Sequence, residues 1–252
     1  MAEEIAKTTG STSMERPSFV PQGKAGTEHM KAEDIKLPRL KIAQKTSPEI
    51  DKDNPAYLKG LEMGDYFNDV TQENYGRGPL TFTVVRGYAP KFIEFAPRGN
   101  GGAGGGVLDM NVPPGDPRTQ FTRGEDGKSV KPKASKIYDF IIVLHRADNK
   151  REMVTWSLAS TGLKVATLLN AFIAERQADV YFGVYTMQAV SKTSPNGPYY
   201  THIVRNAGWI AESEIEWFRS KFQMLKDAQV DIRVDDADSF DPEALEHESA
   251  NA

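Results

Sequence analysis

The sequence predicts a mainly β fold with some helix (α+β): a five-stranded antiparallel barrel, one helix between its third and fourth strands, and a second helix after the fifth. Three observations predict it. Runs of β-branched and aromatic residues recur between residues 80 and 205, bounded by Gly, Pro, Asn and Asp. One segment, 160–175, switches to apolar residues at helical spacing. The resulting order is strand, strand, strand, helix, strand, strand.

The first 30 residues hold isolated apolar side chains among Ser, Thr, Gly, Lys and Glu. Such a segment cannot bury enough surface to offset its ordering entropy, so it is expected to be disordered. Residues 31–79 contain short apolar pieces: LPRLKIAQ (37–44) as a strand or extended arm, and GDYFNDVT (64–71) as a short strand after a Gly turn. LTFTVVRGY (80–88) is a strong strand, and KFIEF (91–95) continues it beyond Pro90, which predicts one long strand with a kink or bulge. Residues 97–135 form a long insertion with GNGGAGGG (99–106) and VPPGDP (112–117), too rich in Gly and Pro to pack as an element. KIYDFIIVLHR (136–146) and REMVTWSLAS (151–160) make a hairpin across ADNK. A helix follows, with Ser160 or Thr161 as its cap and Val165, Ala166, Leu169, Phe172 and Ile173 on its apolar face. DVYFGVYTMQAV (179–190) and PYYTHIVR (198–205) pair across SPNG, and a last helix at about 211–226 presents Ile215, Phe218, Phe222 and Leu225. This is the element order of the OB-fold, a Greek-key barrel that binds oligonucleotides and oligosaccharides. SH3-like and split-barrel arrangements share the same strand count. One domain is therefore expected over residues 31–228, followed by a tail at 229–252.

The 252 residues are 39% hydrophobic and 26% charged, ordinary for a chain that buries a core. No apolar run is long enough to span a bilayer, the polar N-terminus does not read as a signal peptide, and there is no cysteine, so a cytoplasmic location is expected. The formal charge of −4 is uneven: from Asp227 onward nine acids face only Arg233, so the tail carries −8 and the body +4.

Enzyme chemistry finds no constellation. His29, His145, His202 and His247 lack the spacing of a metal motif, the glycine run is followed by no capped helix or Lys-Ser/Thr, and Ser157 sits in TWSLA rather than a nucleophile elbow. A non-enzymatic protein without cofactor or metal is expected.

Cations interleaved with aromatics are the positive signal. Between residues 86 and 136, Arg86, Lys91, Arg98, Arg118, Arg123, Lys128, Lys131, Lys133 and Lys136 outnumber Glu94, Asp109, Asp116, Glu125 and Asp126, with Tyr88, Phe92, Phe95, Phe121 and Tyr138 among them. Single-strand binders need this pairing, because cations track phosphates and rings stack on bases of any sequence. Strand alternation adds Tyr181 and Tyr185 as an outward pair if Phe182 and Val184 point inward, one of Tyr199 and Tyr200, and the indoles Trp156 and Trp209. The competing assignment puts about half of these aromatics in the core. The expected nucleic-acid-binding set is Arg86, Tyr88, Lys91, Arg98, Lys131, Lys133, Lys136, Tyr138, Trp156, Tyr181, Tyr185 and Tyr200. The tail acids Asp235, Asp236, Asp238, Asp241, Glu243, Glu246 and Glu248 would compete with DNA for the basic surface and recruit partners. A plain solubilising tail is the alternative.

LPRLKIAQKTSPE (37–49) and GDYFNDVT (64–71), taken with the barrel strands, resemble a group of phage proteins that carry a PRLK segment followed by a G-D-x-F-N turn. Proteins of that group lie among phage replication and recombination genes, and some are taken to bind single-stranded DNA. The resemblance implies an OB-fold, an acidic tail, single-stranded DNA as partner, replication proteins as further partners through the tail, and residence in the infected bacterial cell. A homo-oligomer is compatible with it. The long Gly/Pro insertion departs from that pattern. The alternative function is a virion structural or assembly protein that binds no nucleic acid.

Overall fold

The computed structural model describes residues 37–96, 106–125, 127–147, 150–194, 197–227 and 232. The expected disordered N-terminus, Arg98, most of the glycine run and the acidic tail beyond Ile232 lie outside the described residues.

The body is one antiparallel sheet. Its strands are β4 (Leu80–Gly87), β5 (Lys91–Phe95), β6 (Val107–Asp109), β9 (Ala134–His145), β10 (Arg151–Ala159), β11 (Gly183–Ser194) and β12 (Gly197–Trp209). β4 and β5 take successive stretches of the same edge of β9: Thr81 pairs with His145 and Gly87 with Phe140, then Lys91 with Ile137 and Glu94 with Ala134. The kink at Pro90 thus joins two halves of one long strand, and a bulge between Val84 and Arg86 adds to the coil. β10 pairs with the other edge of β9 from Ile137 to His145, and β11 joins β4 to β12.

The sheet curls, and its two end strands, β10 and β12, meet across a seam. The Trp156 ring of β10 stands edge-on to His202 of β12 at 5.2 Å. No pairing joins these strands among the described residues, so hydrogen bonds do not close the barrel. An N-terminal arm fills the seam. It consists of β1 (Leu40–Ile42), β2 (Tyr66–Asn68) and β3 (Asn74–Gly76), a small sheet of its own. The Thr155 amide donates to the Pro38 carbonyl at 2.7 Å. On the other bank, Gln44 clasps the backbone of Tyr200, its Nε2 donating to the carbonyl at 2.6 Å and its Oε1 accepting from the amide at 2.9 Å. The amide side chain thereby mimics a strand partner that this sheet edge lacks.

The G-D-x-F-N motif locks this arm. Gly64 has φ +93°, and a Cβ there would lie 2.5 Å from the Tyr200 ring, so both backbone and space demand glycine. Asp65 accepts from the Glu62 amide and from Asn74 Nδ2. Phe67 is buried with Ala43 and Leu61. Asn68 is fully buried; its Oδ1 accepts from the amides of Val70 and Thr71, and its Nδ2 donates to Glu152 at 2.7 Å.

Two cores lie on opposite faces of the sheet. The inner one holds Phe82, Phe140, Ile142, Trp156, Tyr185 and Met187, closed by Val165, Ala166 and Leu169 of α1 (Gly162–Glu175). The start of α1 differs from expectation: neither Ser160 nor Thr161 caps it with its side chain. The outer core holds Val85, Ile141 and Val143 beneath Phe218 and Leu225 of α2 (Ile215–Asp227). The insertion also differs from expectation. After residue 105 it carries β6, paired with β5, and a hairpin of β7 (Thr122–Arg123) and β8 (Ser129–Val130). Composition hid these elements because their apolar contacts are few, Val107 against Ile93 and Ile137 and the buried Val112, and one arginine ties the segment to β5 and β6. Arg118 bonds Glu94 at 2.7 Å, Asp109 at 3.1 Å and Asp116 at 3.0 Å. No helix among the described residues is long and apolar enough to cross a membrane.

Candidate nucleic-acid interface

The cations expected to track phosphates divide into two groups. Arg86, Lys91 and Arg118 are committed to the fold. Arg86 lies 4.8 Å over the Tyr88 ring and donates to the Leu225 carbonyl at the end of α2. Lys91 pairs with the buried Asp139 at 2.8 Å and donates to the Ile232 carbonyl. Both therefore hold the C-terminal helix and the residue beyond it against the sheet. Arg118 faces three carboxylates, and its hydrogen bonds hold the Asp116 carboxyl below the usual range. Together the four groups are net acidic, the wrong sign for a phosphate contact.

The second group is outward. Arg123, Lys128 and Lys133 are exposed on and beside the β7–β8 hairpin, Lys131 is half-buried, and Lys136 lies 4.9 Å over the half-buried Tyr138 ring. Phe121 is 65% exposed at the base of the hairpin, next in sequence to Thr122, which pairs with exposed Val130; Leu108 of β6 is exposed as well. Gly124 and Gly127 make its tip, with Gly127 at φ +77°. The turn chemistry of RGEDGK was available in the sequence. Its two-residue strands were too short to read by alternation.

Three aromatic assignments are corrected. Tyr181 and Tyr185 are buried, not an outward pair, and Trp156 is 1% exposed. The reason is that Phe182, expected inward, ends a 3-10 turn at Val180–Phe182, so the strand begins only at Gly183 and its inward positions are Tyr185 and Met187. Tyr185 packs between Phe82 at 5.6 Å and Phe172 at 6.4 Å. Tyr181 donates to Asp179 at 2.7 Å and packs on Phe222. Tyr200 is half-buried under the arm, with Arg77 5.6 Å from its ring centre. Tyr88 belongs with the outer core beneath α2. Lys131 and Lys133 follow the hairpin in the chain, Lys136 and Tyr138 lie at the start of β9, where Tyr138 packs against the inner core, and Trp156, Tyr181, Tyr185 and Tyr200 lie elsewhere.

The strand histidines are satisfied within the fold. His202 Nδ1 is 3.0 Å from the Tyr66 hydroxyl, and burial pushes its pKa down to about 4. His145 Nε2 is 2.9 Å from Thr83 Oγ1, and burial lowers its pKa. A cleft of about 90 Å³ lies in the seam, lined by Leu40, Ile42, Trp156, Ser157, Tyr200 and His202 among others. Among the described residues no group of His, Asp and Glu could hold a metal ion.

A protein-family model described as Pam3 phage gp34-like protein matches residues 7–230. No curated protein and no solved structure matches the chain.

Proposed function

The chain belongs to the Pam3 phage gp34-like family, and from that premise we propose that it binds single-stranded DNA without sequence preference during phage replication or recombination in the infected cell. The observation that carries this reading is the segment from the β7–β8 hairpin to the start of β9: five cations from Arg123 to Lys136 against Glu125 and Asp126, with an exposed phenylalanine at the base of the hairpin. Cations of this kind exchange condensed counterions for protein contacts, and Phe121 offers a face to any base.

The strand order supports an OB-like reading of the barrel, with β4/β5, β9, β10, β11 and β12 as its five strands and the N-terminal arm in place of the last pairing. In such barrels the loop after the first strand flanks the ligand face, and here that loop bears the hairpin. Because α2 covers the outer face of β9, the reading places DNA along the hairpin and the start of β9 rather than over the middle of the sheet. The acidic tail would act as a competitor for the same cations and as a docking segment for replication proteins. Exposed Leu108, Phe121 and Val130 would equally suit a protein partner, and that is the observation favouring the virion-assembly alternative.

The test is a hairpin variant. Arg123, Lys133 and Lys136 changed together to Ala should weaken binding to oligo-dT and reduce the slope of log K against log salt by up to about 0.7 per lost phosphate contact. A variant that folds like the parent and binds with unchanged slope would place the DNA elsewhere.

A further inference from the structure

We infer that Trp209, at the end of β12, is a second base-stacking point for single-stranded nucleic acid, separate from the hairpin; this inference rests on the single-strand-binding reading above. Trp209 is 60% exposed, whereas Trp156 is buried and Trp217 lies beneath Arg151 and Lys221 at 4.7 and 5.5 Å.

The indole is held from behind by a stack that begins in the core. Phe172 of α1 stacks on Tyr185 with ring planes 15° apart. Arg176, just past the end of α1, lies 5.1 Å from the Tyr185 ring centre and 4.3 Å from that of Trp209. Asn206 fixes the guanidinium by accepting from Nη2 at 2.6 Å, and the same Oδ1 accepts from the Gly208 amide at 3.0 Å. Gly183, the cross-strand partner of Trp209, has no side chain, and the Tyr185 hydroxyl fills that space, 2.4 Å from where a Cβ would stand. The inner face of the indole is thus covered and oriented.

The outer face extends the stack toward solvent. A ring already ordered by its neighbours loses little rotamer freedom when a base settles on it, so most of the stacking energy remains available for binding. A cation beneath the ring opposes the build-up of negative charge around it. These features favour a polyanion carrying flat rings over an apolar protein surface.

The test uses the full chain, oligo-dT and intrinsic tryptophan fluorescence. Oligo-dT should quench the emission of the parent and of Trp217→Phe, and the quench should be largely lost in Trp209→Phe. Trp209→Ala should weaken binding by roughly tenfold with an unchanged salt slope, and Trp209→Phe should recover most of that loss. If the parent binds oligo-dT while Trp209→Ala binds equally well and Trp209→Phe keeps the quench, the stacking role is overturned and the single-strand reading stands. If the parent does not bind oligo-dT, both fail. If Trp209→Ala changes only the oligomeric mass, the indole is a subunit contact and the inference is overturned.

Discussion

Individual side chains separate folding from binding. Tyr185 is fully buried between Phe82 and Phe172, so Tyr185→Ala should cost about 3–5 kcal/mol, as removal of a large buried ring does. Urea denaturation of the parent and variant checks this; a variant that melts like the parent would contradict the burial. His202 supplies a pH signature. Its folded pKa is pushed down to about 4, below the usual value of 6.5, because burial disfavours the imidazolium. Above pH ~6.5 the ring is neutral in both states and adds no pH dependence. Between there and pH ~4 the unfolded chain takes up the proton first, so stability falls as pH drops, by up to about 3 kcal/mol. The urea midpoint should fall from pH 7 to pH 5, and His202→Gln should flatten that fall. An equal fall in parent and variant would assign the effect to other groups. Neither role was open to strand alternation alone. The alternation of DVYFGVYTM is unambiguous only when the strand's first residue is known, and the 3-10 turn at Val180–Phe182 moves it.

At the scale of elements, local pattern predicted most of the framework. The hairpin of β9 and β10, the broken strand of β4 and β5, and both helices follow from side-chain periodicity and turn residues, which act over a few positions. What stayed hidden depends on partners far apart in sequence. Gln44 completes an edge 156 residues away, Arg86 finds a carbonyl in the last turn of α2, and Lys91 finds one beyond it. A cation count cannot tell a lysine that meets phosphate from one that meets Asp139. The arm makes its own prediction. Gly64→Ala would force a Cβ against the Tyr200 ring at a positive φ, so it should lower the melting temperature and speed proteolysis within residues 37–78. Unchanged protease resistance would show that the arm does not depend on that contact. The hairpin's exposed Arg123 should tolerate substitution without loss of stability.

Over the whole molecule, charge and exposed rings lie apart from the two cores. The sheet's inner face is filled by α1 and the arm and its outer face by α2, while Phe121 at the hairpin and Trp209 at the end of β12 are exposed. Net charge makes the consequence measurable: a −4 chain should repel a polyanion unless its local cations dominate, and they can do so only over distances comparable to the screening length. Fluorescence anisotropy of the full chain titrated against labelled single-stranded and duplex oligonucleotides, at low and at high salt, therefore tests the central claim most directly. Single-strand binding should be tighter than duplex binding, indifferent to sequence, and steeply weakened by salt. Absence of binding at low salt, or a salt-insensitive interaction equal for both forms of DNA, would contradict it.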